Sequence, residues 1–185
     1  MDTNNDLTAE FVRQILDYNP DTGVLRWKER PASMFKDGEH SASHRAALWN
    51  SRYVGTVAGK LERWGYRDVC INHRHYKAHR LAWLIMTGEW PKDQIDHINL
   101  NKNDNRWPNL RAATHSENMA NRRLHRNNMS GCKGVYWHKR QKKWLVEISK
   151  DKRKIYLGCF DMLEDAERVR KEAAEHFHGK YARGA

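Results

Sequence analysis

The chain has 185 residues, enough for one ordinary domain or two small ones, and two are expected. A formal charge of +11 and a pI near 9.7 point to a polyanionic partner, whereas a mean hydropathy of −0.99 without any apolar run of about 18 residues excludes a membrane span. The polar opening Met1-Asp2-Thr3-Asn4-Asn5-Asp6 is unlike a secretory signal, and Cys70, Cys132 and Cys159, odd in number and far apart, suggest a reducing cytoplasm and no structural zinc.

In residues 7–18, Leu7, Phe11, Ile15 and Leu16 recur at helical spacing behind Thr8 as N-cap, so a short amphipathic helix is predicted. Asn19-Pro20-Asp21-Thr22-Gly23 is a turn, and residues 24–28 are a strand with Trp27 as its aromatic anchor. Residues 31–51 show no period and predict a long loop, in which His40, His44 and Arg45 could touch phosphate. Alternation over 54–59, 64–71 and 76–78, broken at Gly59-Lys60 and Asn72-His73-Arg74, predicts an antiparallel meander. Residues 79–87 read as an apolar helix ended by Gly88, with Leu81, Trp83, Leu84 and Ile85 in the core. His79 is read first as a brace for this helix and second as an accessory to a site.

Ile95-Asp96-His97-Ile98 alternates like a short strand, and the Asn- and Asp-rich run 99–108 cannot continue it. Asn109-Leu110-Arg111-Ala112-Ala113 is a second extended segment, after which Thr114-x-x-Glu117 has the capping-box pattern that opens a helix. The order is strand, loop, strand, helix. Asp96 and His97 then lie at a strand end, with Asn118 in the first turns of the helix facing back across the hairpin. A carboxylate and an amide oxygen suit one Mg²⁺ (or Mn²⁺) ion, which fills its remaining positions with water and phosphate oxygens. His97 titrates near neutrality and can take a proton from water.

These residues carry a resemblance. Ala78-His79-Arg80-Leu81-Ala82-Trp83, Ile95-Asp96-His97-Ile98, Asn101-x-x-Asp104-Asn105-x-x-x-Asn109-Leu110-Arg111 and Glu117-Asn118-x-x-Asn121 together resemble the HNH endonucleases of the phage and intron homing type. The resemblance covers about residues 69–121 and implies a ββα-metal (His-Me finger) nuclease. It makes His97 the general base, Asp96 and Asn118 the metal ligands, and Asn109 the residue that braces the loop and orients His97, with His79 and Asn121 as accessory positions. Asn118 stands where many relatives have the last His, as in the Asn-ending branch, and the paired Cys-x-x-Cys motifs of zinc-bearing relatives are absent. The preamble DYNPDTGVLRWK resembles the segment ahead of many phage HNH domains and brings no chemistry with it.

Residues 122–129, RRLHRNNM, read as a basic linker that brings Arg122, Arg123 and Arg126 to phosphates. Beyond it, strands are predicted around 130–137, 143–148 and 154–160, followed by a helix. Asp161 and Glu164 cap that helix, and its stripe of Ala166, Val169, Ala173, Ala174 and Phe177 covers the sheet. Cations stand among aromatics on the other face, at Tyr136, His138, Arg140, Lys143, Trp144 and Lys154, which suits a DNA groove. The spacing Gly-Val…Trp-x-x-x-Ile…Tyr-Leu-Gly-x-Phe…Ala-Ala resembles the AP2 DNA-binding domain. That resemblance implies DNA-facing positions at Lys133, Tyr136, Trp137, Lys143, Trp144, Glu147 and Tyr156; Arg140 and Lys154 join them by charge.

The expected protein is therefore α+β. A nuclease domain spans 1–121, a linker 122–129, and a three-stranded antiparallel sheet packed on one helix 130–182. Residues 122–185 hold 17 Lys/Arg against 8 Asp/Glu, so the basic character lies mainly in the C-terminal third. The expected activity is metal-dependent, site-specific hydrolysis of double-stranded DNA by a monomeric, phage- or intron-encoded homing endonuclease in the bacterial host cytoplasm. The alternative is a DNA-binding regulator with an inactive nuclease domain.

Overall fold

A computed structural model describes residues 7–182, and the chain divides into two compact units, Met1–Arg111 and Ala112–Ala185. In the first, Thr8 accepts a hydrogen bond from the Phe11 N–H and caps helix α1 (Ala9–Ile15). The helix stops short of the predicted residue 18. Leu16 turns extended and opens strand β1 (Leu16–Asn19), which pairs antiparallel with β2 (Val24–Trp27) in the register Leu16↔Trp27 to Asn19↔Val24. Pairing across the Asn19–Gly23 turn thus overrides helical spacing that the side chains alone would favour.

The predicted loop at 31–51 is the largest departure, because it contains helix α2 (Ala42–Tyr53). Ser41 caps it by accepting from the His44 N–H. Trp49 is the anchor: its ring meets Trp27 edge-on at 5.5 Å and Tyr53 at 5.2 Å, with the Arg30 guanidinium 4.1 Å above it. The helix buries only Ala46 fully, so its stability comes from this aromatic cluster rather than from an apolar stripe.

Strands β3 (Lys60–Leu61), β4 (Arg67–Ile71) and β5 (Arg74–Lys77) form an antiparallel meander, but the first strand expected at 54–59 is absent: that stretch is turn with one isolated bridge from Val57 to Arg26, and β3 falls where a break was expected. Helix α3 (Ala78–Thr87) follows directly and ends at Gly88, whose φ of +81° closes the helix in the left-handed region. The core of this unit gathers Val12 and Ile15 of α1, Leu25 of β2, Val69 and Ile71 of β4, and Leu81 and Leu84 of α3. Against it stand β6 (Gln94–His97) and β7 (Leu110–Ala113), which make a two-stranded sheet, and the division between the units falls inside β7.

The second unit opens with helix α4 (His115–Asn121), whose Thr114 and Glu117 form the expected capping box. It continues through β8 (Val135–His138), β9 (Lys143–Lys150) and β10 (Arg153–Phe160), an antiparallel sheet in the order β10-β9-β8, to helix α5 (Leu163–His178). Paired Val135 and Val146 are buried with Cys132 and Ala166 beneath α5. The predicted cap at Asp161 is corrected: Met162 is the N-cap position of α5 and makes no side-chain cap bond, so Glu164 and Asp165 contribute only first-turn charge.

Candidate active site

Two consecutive residues at the end of β6 face different surroundings, as side chains must on a strand. Asp96 is 2% exposed, and Nε and Nη2 of Arg111 on β7 converge on its Oδ2 at 2.8 and 2.7 Å. A buried carboxylate needs such a partner, because one left uncompensated would cost several kcal/mol, about 3–5 when a buried pair is broken. His97 is 5% exposed, and its Nε2 lies 3.1 Å from Asn105 Oδ1. An amide oxygen only accepts, so in this bond it is Nε2 that donates. Burial pushes the imidazole below its ordinary value and outweighs the opposing influence of Asn105, Asp96 and Asp104. The ring is therefore neutral at neutral pH.

Two aromatic rings complete the wall. Tyr66 lies 6.1 Å from His97, and His79 meets it edge-on at 5.0 Å. His79, on the first turn of α3, is itself buried, and desolvation drives it down to about 3. It is a neutral wall of the site.

The loop between β6 and β7 is held from within by asparagines. Asn99 Oδ1 accepts from the Asn101 N–H at 2.8 Å, and Asn101 Oδ1 from the Asn103 N–H at 3.1 Å, the local bonds by which Asn replaces regular structure. Asn109 clamps both ends: Oδ1 accepts from the Asn99 N–H at 3.0 Å and Nδ2 donates to the Asp104 carbonyl at 2.7 Å. Arg106 grips Asp104 at 2.8 and 2.6 Å and brings that carboxyl down to about 2. Asn109 thus braces the loop, while the residue bonded to the His97 ring is Asn105.

The N-terminal hairpin reaches this loop too. The Tyr18 hydroxyl donates to the Asn105 carbonyl at 2.7 Å, and burial raises that hydroxyl to about 12. The Trp107 N–H donates to the Pro20 carbonyl at 2.9 Å. Gly23, at φ +72°, lies so close that a Cβ there would overlap Arg106 N and Asn105 C. The β1–β2 turn is thus a mould for the loop, a role its spacing in the sequence could not show.

Asn118 and Asn121 lie on α4 in the second unit, where Asn121 is buried. This helix is anchored there. Lys133 Nζ donates to the Met119, Ala120 and Arg122 carbonyls at 2.5, 3.1 and 3.3 Å, Ser116 Oγ accepts from the Asp151 N–H at 3.1 Å, and Tyr181 bonds the Ala112 carbonyl at 2.6 Å. The AP2 likeness places Lys133 on DNA; the structure instead turns its ammonium to the carbonyl end of α4, where cations offset the helix dipole. Trp144 likewise packs against the core under α5, and its cross-strand partner Trp137 meets it edge-on at 5.1 Å on that same face. The opposite face carries Tyr136, Glu147 and Tyr156, with Lys154 3.3 Å from Glu147; Lys143 pairs with Asp161 at 3.2 Å, and Arg140 is exposed in the β8–β9 turn.

Comparison with known proteins bears on what this geometry is for. The family model described as HNH endonuclease matches residues 76–120, a stretch that runs from β5 through α3, the β6–β7 hairpin and nearly all of α4. Protein 3.8 of Escherichia phage T7 is 32% identical over 112 residues, which span 58% of this chain and 92% of that protein. The chain belongs to the HNH endonuclease family. Family membership supports nuclease chemistry on DNA, and HNH nucleases in general use a divalent metal ion. Within the first unit Asp96 supplies a carboxylate, a hard oxygen donor of the kind such an ion takes, and Arg111 offsets its buried charge. Among the described residues no helix is long and apolar enough to cross a membrane.

Proposed function

We propose that this HNH protein is a metal-dependent, site-specific endonuclease acting on double-stranded DNA, with His97 as general base. The observation that carries the reading is His97 itself: a buried imidazole, neutral by desolvation, with its proton placed on Nε2 by Asn105, next in sequence to a buried carboxylate. The imidazole accepts a proton from the attacking water. By the family resemblance alone, Asp96 and Asn118 are the residues that would hold one Mg²⁺ or Mn²⁺ ion. When bound, a divalent cation would supply charge stabilisation at the leaving oxygen. Tyr66 and His79 limit solvent around the base, and the Asn109 clamp keeps the loop that carries Asn105 from drifting.

The second unit serves as the duplex-holding module in this reading, and its AP2-like sheet presents Tyr136, Glu147, Lys154 and Tyr156 to DNA. Tethering raises the effective concentration of each unit at its site. A homing role, a phage or intron origin, action as a monomer and residence in the host cytoplasm belong to the same proposal; the resemblance to a phage protein supports the phage origin.

The test is incubation of the purified chain with supercoiled plasmid, in Mg²⁺ or in chelator. Wild type should convert it to open circle or fragments only with metal. His97→Ala should cut at least about 100-fold more slowly while binding DNA as before, since a general base acts in the transition state and contributes little to docking. Equal binding with and without Mg²⁺ and no cutting by wild type would favour the regulator.

A further inference from the structure

Beside the candidate active site, the β3–β4 hairpin loop projects a large aromatic side chain into water. Trp64 is 67% exposed, although an indole can bury about 200 Å² and is normally placed where it does so. The loop under it is ordered by its own bonds: the Gly65 N–H donates to the Glu62 carbonyl at 2.9 Å and the Glu62 N–H to the Tyr66 carbonyl at 2.7 Å. Arg63 lies over the indole, 4.7 Å from the ring centre. Lys102, from the β6–β7 loop, donates to the Trp64 carbonyl at 3.3 Å and stands 4.7 Å over the Tyr66 ring. Tyr66 in turn abuts His97. One short run of contacts therefore joins the exposed indole to the imidazole, and two cations flank it.

We propose that the hairpin loop Glu62 to Tyr66 is a DNA-gripping finger in which Trp64 stacks on a base unstacked beside the cut, with Arg63 and Lys102 on the neighbouring phosphates. This deepens the endonuclease reading and rests on it, by naming the substrate feature the site prefers. The charge is complementary to a nucleic-acid backbone, and the surface is continuous with the site that meets the scissile phosphate. An aromatic face accepts any base, so the finger recognises an opened stack rather than a sequence. The Lys102 bond uses the backbone carbonyl of residue 64 and survives a change of side chain.

The experiment uses the full chain in chelator, a fully paired synthetic duplex, and the same duplex with a bulged 2-aminopurine. Wild type should bind the bulged duplex about tenfold more tightly and quench the 2-aminopurine, the range expected for one aromatic–base stack. Trp64→Ala should lose both the preference and the quench, whereas Trp64→Phe, which keeps a stacking face, should retain most of each. Identical behaviour of Trp64→Ala and wild type, or no bulge preference in wild type, would overturn the finger. Plasmid cutting by wild type in Mg²⁺, measured alongside, separates the two readings: cutting without bulge preference sinks only the finger, and bulge preference without cutting sinks the nuclease.

Discussion

Asn105 and Asn109 stand in the same loop and hold different things, one the His97 ring and the other the loop ends. Both residues are visible in the motif; which of them touches the ring is not, because a side-chain bond across a loop depends on how the loop is folded. Asn105→Ala removes the acceptor that places the His97 proton, and should lower kcat by about 10- to 100-fold with KM little changed, in line with the loss of a residue that orients a ligating or catalytic histidine. His79 makes a separate prediction. Its folded value of about 3 lies below the ordinary imidazole value of about 6.5, so the unfolded chain takes up the proton first and the stability due to neutral His79 is lost as pH falls from about 6.5 towards 3. His79→Gln should flatten the fall of Tm between pH 7 and pH 4. An unchanged slope would mean that His79 is not desolvated.

The elements with strong periodic signals are legible: the α3 helix, the β6–β7 hairpin, the capping box of α4, and the last two strands and the helix of the second unit stand close to where their patterns predict, whereas β8 begins only at Val135, after a turn where a strand from residue 130 was expected. Helix α2 is not, since its partners Trp27, Arg30 and Phe35 are distant in sequence from Trp49, and Asn50 holds Arg30 through bonds of 3.0 Å to both its N–H and its carbonyl. The residues between β1 and β2 read as a turn but not as a support of the site. Gly23→Ala tests that support. The new methyl meets backbone on the Asn105–Arg106 side and demands a positive φ of a residue with Cβ, so a loss of more than about 2 kcal/mol of stability is expected, with cutting reduced beyond what the remaining folded fraction explains. Denaturant titration and specific activity, taken together, check both parts. Tyr18→Phe, which removes one bond to the Asn105 carbonyl, should cost about 1 kcal/mol and leave the mould in place.

For the molecule as a whole, the proposed hold on DNA is expected to follow the charge distribution. Arg122, Arg123, His125 and Arg126 line a cleft of about 500 Å³ in the second unit, beside Lys133 and Gly134. Converting Arg122, Arg123 and Arg126 to Gln should flatten the slope of log K against log salt by about 2 to 3, as expected from about 0.9 for each phosphate no longer neutralised, and should weaken binding to all duplexes alike. A selective loss for one sequence would place these arginines on base edges instead. The sequence by itself determined the basic charge that suits a polyanionic partner, the strand–loop–strand–helix order around Asp96 and His97, the α+β class and the sheet-and-helix second unit, because composition, period and capping act locally. Tertiary structure decided the rest: the partners of Asp96 and His97, the turn of Lys133 to a helix end, the packing of Trp144 against the core, and the service of the first hairpin to a loop 87 residues away. Such contacts depend on which surfaces meet after the chain collapses, and no local pattern encodes that meeting.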